Sequence, residues 1–409
     1  MNKSVWWIIA AGFIAIFLVN CTRGNSQQEG KETESNRFPD TMALTKSWES
    51  PIFNIELPMG MVSMSAAECG KCHVEIYEEW KMSTHAHAWV DLQYQAELKK
   101  NNNLFICINC HLPLQNQQEE IVTGMLNGDY FQPVKRPNPF FDPVLQQEGV
   151  TCLGCHIKNG NVIGANPDVS PPHSHVVDKE YLSETLCLGC HNAAEQISDQ
   201  LICTFETGNE WKAGPFSKAG INCIGCHMPE IKRQLITGPE TKRGFRHFFP
   251  GSGIPKVKDE TVKGLVGYSF VTANLKERYA VGDQLELSLK VRNDFAGHKV
   301  PTGDPERFFM IRFFIKDSQG KQLMQKEFRI GEEWEWYPVA KKISDSNIPP
   351  GAAREFSMAY EITAPQKLVW KTVVSRHRIS KESLRYHHLE GIYPDSIVVY
   401  EKETDIWVE

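Results

Sequence analysis

The chain has 409 residues, enough for two domains. Its formal net charge of -6 gives no reason to expect nucleic acid as a partner, and the mild acidic balance is of the kind that steers a basic one. Ten of its twelve cysteines fall in pairs three positions apart, each followed directly by histidine, which excludes the scattered spacing of a disulfide framework.

At the N-terminus, Lys3 precedes an apolar stretch from Val5 to Val19 that closes with Leu18-Val19-Asn20-Cys21, after which the chain turns polar at once. This layout predicts a secretory signal over residues 1–20 of the lipoprotein type, with Cys21 lipidated, although Asn20 stands where Gly, Ala or Ser is commoner. An uncleaved anchor is the competing reading, but the apolar run is short of the roughly 20 residues a spanning helix needs. Residues 21–62 read as a flexible tether, because Asn25 to Asn36 is too poor in apolar side chains to bury a core. The expected location is the periplasm or the cell surface, with the chain held to a membrane by its lipid.

Five pentapeptides of one pattern follow: Cys69-Gly-Lys-Cys72-His73, Cys107-Ile-Asn-Cys110-His111, Cys152-Leu-Gly-Cys155-His156, Cys187-Leu-Gly-Cys190-His191 and Cys223-Ile-Gly-Cys226-His227. Two thiols at this spacing can add to both vinyl groups of one porphyrin, and the next histidine is placed to ligate the iron, so the pattern predicts five covalently bound haem c groups. Zinc is the alternative, since two Cys-x-x-Cys units make a four-thiolate site. It requires no histidine at the same offset after every pair, and five pairs leave one over. The segment 63–258 is expected to be the haem domain. Its motif spacings of 38, 45, 35 and 36 residues are too uneven for a solenoid. Ser65 looks like a helix cap and Glu75 to Lys81 a helix; elsewhere secondary structure should be sparse and mainly helical, because the porphyrins supply most of the apolar filling.

From residue 259 to 409 the composition predicts an all-β sandwich. Period-two runs occur at Gln284 to Val291, Arg307 to Ile315, Arg354 to Ile362, Leu368 to Val374 and Ser396 to Val399, separated by Gly, Pro, Asn and Asp clusters. Only Ser380 to Leu389 reads as a helix there. Trp334, Trp336 and Tyr337 suit a β core, with a partner surface or an aromatic β edge as the alternatives.

Fourteen histidines less the five in motifs leave His85, His87, His173, His175, His247, His298, His377, His387 and His388. A second imidazole saturates the iron and suits outer-sphere electron transfer, whereas an open position means chemistry. One of His173 and His175 is expected to ligate. His298 lies in a Gly- and Pro-containing loop that would let backbone approach a porphyrin closely, so it is expected to ligate, a purely structural turn being the alternative. His87 could ligate a different haem from His85 or be solvated; His377 sits at a basic strand end and His387 and His388 on a helix surface, none of the three expected to ligate, and Cys203 reads as a small buried apolar residue.

Trp80-x-x-Ser83-x-His85, Glu210-Trp211, the sequence Cys223 to Pro229, and His247-x-Phe249-Pro250-Gly251 resemble the multihaem c-type cytochromes related to the tetrahaem cytochrome c of ammonia oxidisers. Gly297-His298-Lys299-Val300-Pro301-Thr302-Gly303 resembles a motif of chains that join such modules to a β domain. The likeness covers roughly residues 65 to 310 and implies that His85 and His247 are distal ligands. The chain departs from the tetrahaem pattern by its fifth motif and its C-terminal extension. The expected function is electron transfer through closely packed, mostly bis-histidine haems, with redox proteins as partners. The alternative is an oxidoreductase with one five-coordinate haem, acting on a small nitrogen or sulfur compound. Every repeat ends in histidine, so none matches the lysine-bearing haem site of the nitrite reductases.

Overall fold

The alternating runs of the C-terminal half become strands because each can turn every second side chain inward. In Gln284–Arg292 the residues Leu285, Leu287, Leu289 and Val291 are buried while their neighbours face out. This strand lies between Ser269–Thr272 and Ala353–Glu361 in a three-stranded antiparallel sheet. The second sheet has six strands in the order Arg278–Tyr279, Ser396–Val408, Lys367–His377, Phe308–Asp317, Gln322–Glu335 and Lys341–Asp345. Inward side chains of both sheets merge into one core, in which Phe313 meets Trp370 and Phe328 edge-to-face at 5.9 and 5.6 Å. Burying each such ring is worth about 1.5–3 kcal/mol. The structure, a computed structural model, describes residues 40–409.

The runs expected from the sequence are all strands, and most extend beyond the predicted limits. Four strands were not among them: Gln322–Glu335 and Lys341–Asp345 carry many half-exposed polar residues toward the sheet edge, which masks their alternation, and Ser269–Thr272 and Arg278–Tyr279 are too short to show one. The expected helix is shorter, Lys381–Tyr386, capped by the Ser380 hydroxyl accepting from Ser383 N–H.

In the N-terminal half the haem motifs end short helices. Phe105–His111, Glu184–His191 and Cys223–His227 each contain one, Leu153–His156 contains all of its motif but the capping Cys152, and helical geometry turns the i, i+3 cysteines to the same side. The helix Ala66–Gly70, capped by Ser65, leads into the first motif, and Val74–Lys81 follows it. The expectation of a mainly helical region needs correction. Small sheets such as Thr41–Met42, Glu120–Leu126 and Pro133–Pro137 fill the connections, because buried loop backbone must find hydrogen-bond partners.

The expected tether is corrected as well. Residues 41–62 belong to the fold: Thr41–Met42 pairs with Met125 and Leu126, and Ile52 N–H donates to Pro113 O at 2.8 Å. The buried Glu49 carboxylate accepts from Tyr130 and from the backbone of Thr45 and Lys46. Trp48, Ile52, Ile55 and Met61 supply the apolar contacts that the preceding polar run lacks. The signal segment 1–20, Cys21 and the polar run itself lie outside the described residues. Among the described residues no helix is long and apolar enough to cross a membrane.

Candidate functional site

One continuous cavity of about 2700 Å³ is lined by the cysteines and the histidine of all five motifs. A pocket for a single small ligand has about 300–1,000 Å³, so this space suits several large groups. The eleven described cysteines are free, and among the described residues no three His, Cys, Asp or Glu gather around one point as a metal-ion ligand set. The donor chemistry therefore does not fit the four-thiolate zinc alternative.

Paired imidazoles supply the clearest geometry. His73 faces His173, His191 faces His85, His156 faces His247 and His227 faces His298, with ring centroids 6.5, 6.2, 6.3 and 6.3 Å apart. Metal–imidazole bonds of about 2 Å put two ligating nitrogens about 4 Å apart across one ion, and the roughly 1 Å from each nitrogen to its ring centre brings the centroids to about 6 Å. Each pair joins one motif histidine to one histidine outside the motifs, with room for one metal between them. The residues present thus fit haem c with histidine on both sides at four of the five motifs.

Hydrogen bonds aim these rings. The Nδ1 atoms of His73, His111, His156 and His227 lie 2.5, 2.6, 2.8 and 2.7 Å from the carbonyl oxygens of Leu235, Ala88, Ile163 and Pro250. Those of His173, His247 and His298 lie 2.9, 2.9 and 2.8 Å from Ser174, Phe245 and Lys299 oxygens. A carbonyl only accepts, so Nδ1 carries the proton and Nε2 presents its lone pair to a metal. Burial lowers His85 to about 3 and His111, His191, His247 and His298 to about 4, which keeps these rings in the neutral, ligating form.

The remaining histidines use Nε2 otherwise. His87 Nε2 contacts Lys81 O and the Glu260 carboxylate, His377 Nε2 meets the Ser375 hydroxyl, and His387 Nε2 pairs with Glu97 at 2.7 Å. The structure brings His173 rather than His175 opposite a motif histidine; the His175 ring packs against Gly164 instead. His388 occupies a left-handed turn at φ 56°. His377 ends the strand Lys367–His377 and is buried there, and His387 is half-buried, not on the helix surface that the sequence suggested.

The short motifs act as supports. Trp80 Nε1 donates to Val150 O at 2.8 Å, and Val150 N–H donates to His85 O at 3.0 Å. Gly149 has φ 59°, and a Cβ there would come within 2.6 Å of His85 O, so glycine alone allows that approach. Phe249 lies against His85 with ring centroids 4.5 Å apart, while the next residue's carbonyl holds His227. Glu210 accepts from Lys299 N–H at 3.2 Å and Thr302 Oγ1 at 2.6 Å, which fixes the loop carrying His298. Glu79 is a support the sequence reading missed. Its buried carboxylate accepts from Arg233, Arg246 and His247 N–H. Burial opposes its ionisation, but these hydrogen bonds outweigh it and hold the carboxyl below its ordinary value. A glutamate on a helix face gave no sequence signal for this role.

His111 differs from the other motif histidines. Its Nε2 has no facing imidazole among the described residues; Tyr94 stacks on the ring face, with centroids 3.5 Å apart and planes 6° from parallel. The Tyr94 hydroxyl is buried without a hydrogen-bond partner.

Contacts between motifs show which are neighbours. The thiols of Cys69 and Cys152, Cys110 and Cys190, and Cys187 and Cys223 are close enough to shift each other's ionisation. Cys155 lies within electrostatic reach of Cys187 and Cys190. The first motif thus adjoins the third, and the fourth adjoins the second, third and fifth.

The family model for cytochrome c554 and c-prime matches residues 68–129. The fold is similar to that of a penta-heme cytochrome c552 from Thermochromatium tepidum, at 16% identity and a TM-score of 0.58, over 85% of this chain and 100% of that one. The CARDB domain of a Pyrococcus furiosus protein, at 12% identity and TM-score 0.19, aligns over 35% of this chain and 85% of its own. A beta-glucosidase from Listeria innocua, at 10% identity and TM-score 0.17, aligns over 34% of this chain and 16% of its own. No curated protein matches. The family match covers the first two motifs, and the penta-heme protein shows the same fold over most of the chain.

Proposed function

We propose that this chain is an extracytoplasmic, lipid-anchored pentahaem c-type cytochrome, akin to the tetrahaem carriers of ammonia oxidisers, that relays electrons between redox proteins. The four histidine pairs at 6.2–6.5 Å carry the reading. The residues holding the cofactors would be the paired cysteines 69/72, 107/110, 152/155, 187/190 and 223/226, with His73, His111, His156, His191 and His227 beneath them. Bound haem iron supplies one-electron exchange between its ferric and ferrous states. The protein supplies neutral imidazoles held by carbonyls, a water-poor interior and a fixed order of neighbours. The nearness of the fourth motif's thiols to those of the second, third and fifth supports a junction at the fourth motif in the proposed relay. Pyridine haemochrome assay of the secreted protein should give five covalent haems per chain; a chain with no haem and bound zinc would refute the reading.

A second reading is favoured by His111. With no imidazole facing it, the haem at Cys107 and Cys110 would keep one axial position for a small molecule, and the chain would be an oxidoreductase as well as a carrier. Carbon monoxide binding to the fully reduced protein tests this: one molecule per chain is the expected result.

A further inference from the structure

From Pro250 to Pro255 the backbone carbonyls accept from one imidazole and two guanidinium groups, in sequence order. Pro250 O lies 2.7 Å from His227 Nδ1, Gly251 O and Ser252 O accept from Arg376 Nη1, the first at 3.4 Å, and Ile254 O and Pro255 O accept from Arg378, the second at 3.1 Å. Arg376 and Arg378 are alternate residues at the end of the strand Lys367–His377 and just past it, which turns both to one side. Both line the large cavity and are otherwise buried, with 9% and 8% of their surface exposed. Arg376 Nη2 also donates to the Tyr268 hydroxyl, and the guanidinium carbon lies 5.0 and 5.4 Å from the ring centres of Tyr268 and Phe309.

Hydrogen bonds tie Arg376 to both sides of one histidine pair. On one side, its acceptors Gly251 and Ser252 directly follow the residue that holds His227. On the other, Tyr268 follows Gly267, whose carbonyl accepts from Phe295 N–H at 2.8 Å and Ala296 N–H at 3.2 Å, two residues before His298. His227 and His298 face each other at 6.3 Å. The guanidinium therefore reaches the cavity wall beside the fifth motif, and it comes there from a strand of the β region.

A guanidinium has five N–H donors, and arginine is almost never buried without an ionic partner. The acceptors that Arg376 meets are two carbonyls and a phenol, and among the described residues no carboxylate is in ion-pair contact with it. An interior charge in that state is costly, and an anion placed against it relieves the cost. Haem c carries two propionate carboxylates, and the planar fork of arginine fits two oxygens of one carboxylate. We propose that Arg376 holds a propionate of the haem bound at Cys223 and Cys226, with Tyr268 fixing the guanidinium. The β region then gives this haem a counter-ion as well as its distal His298. A cation there raises the haem's midpoint potential, because it disfavours the extra positive charge of ferric iron. This rests on the haem reading above.

The test uses the full-length, haem-loaded protein with its propionates labelled with carbon-13, read by redox-difference infrared spectroscopy and by potentiometric titration. Arg376→Gln should keep five covalent haems, lower one midpoint potential and shift the labelled carboxylate bands of one haem. Arg376→Lys, which keeps the charge and guards against a folding defect, should recover most of the potential but less of the infrared pattern, since it has no fork. His298→Met marks the haem, because a methionine ligand raises the potential. In that background Arg376→Gln should lower the same component that His298→Met raised. Unchanged potentials in Arg376→Gln, or a shifted potential with unchanged carboxylate bands, would overturn the propionate contact and leave the haem reading standing. Movement of another haem's component would overturn the assignment to the fifth motif. If sodium phosphate moves the same potential in the wild type and not in Arg376→Gln, the arginine faces a solvent anion and the proposal fails. A protein without covalent haem would refute the haem reading, and this inference with it.

Discussion

A histidine's usefulness to a metal depends on which ring nitrogen is left free, and this separates the histidines here better than sequence position does. His173, His247 and His298 spend Nδ1 on a backbone carbonyl, whereas His87, His377 and His387 spend Nε2 on a neighbour. The neighbours Pro172-His173-Ser174-His175 look equivalent as letters. Only the folded chain shows that His173 meets His73, where Gly60, at φ 84°, gives the room its loop needs. The motifs around His85 and His247 singled out in the sequence two of the rings that stand opposite a motif histidine. Glu79 was not legible, because its three donors come from residues more than 150 positions away. Removing one partner of a buried, hydrogen-bonded ion pair costs about 3–5 kcal/mol. Glu79→Ala should therefore lower unfolding free energy by about that much in denaturant titration, because it strands the buried Arg233. A loss under about 1 kcal/mol would show that the network does not hold His247.

Among the elements, the loop from Gly297 to Gly303 has the largest consequence, since it hands a histidine from the β region to the haem region. Its anchor is Glu210 on the helix Thr207–Ala213, a residue named in the sequence beside Trp211 without a role. Glu210→Ala should leave Lys299 N–H unpaired and Thr302 Oγ1 with only Thr207 Oγ1 as its partner, cost about 1–3 kcal/mol, and alter the low-spin resonance signal of one haem while the haem count stays at five. An unchanged spectrum would mean that the loop holds His298 without Glu210. The β strands themselves were legible from period-two alternation, and their core should respond as packed cores do. Phe313→Ala, within van der Waals reach of Trp370 and Phe328, should lower stability by about 3–5 kcal/mol in thermal or urea unfolding. The edge strands were hidden by their polar faces. Residues 41–62 were misread because the polar run before them set the impression of the whole segment, although Trp48, Ile52 and Ile55 each cover a buried cluster.

For the whole molecule, the region bearing the haem motifs and the β sheets are joined by charged groups as well as by the His298 loop. Asp91 caps the helix Leu92–Lys100 and accepts from Lys256 and Tyr393, and Tyr393 accepts from Arg378 at 2.9 Å. Burial opposes ionisation of Asp91, but Lys256 and Arg378 outweigh it, so its carboxyl titrates below the ordinary 3.8. Burial also pulls Lys256 down, despite the pull of Asp91 in the other direction. A carboxyl depressed in the folded state adds stability that is present above its unfolded value and is lost as pH falls through the folded one. Unfolding temperature should accordingly drop as pH falls below 3.8, and Asp91→Asn should flatten that part of the profile; an equally steep profile in the variant would remove Asp91 as its source. The central claim is that four haems have histidine on both faces while the fifth, at His111, does not. Spin quantification of the fully oxidised protein by electron paramagnetic resonance tests it most directly. The structure predicts four low-spin haems and one high-spin haem per chain; five low-spin haems, or more than one high-spin, would contradict it.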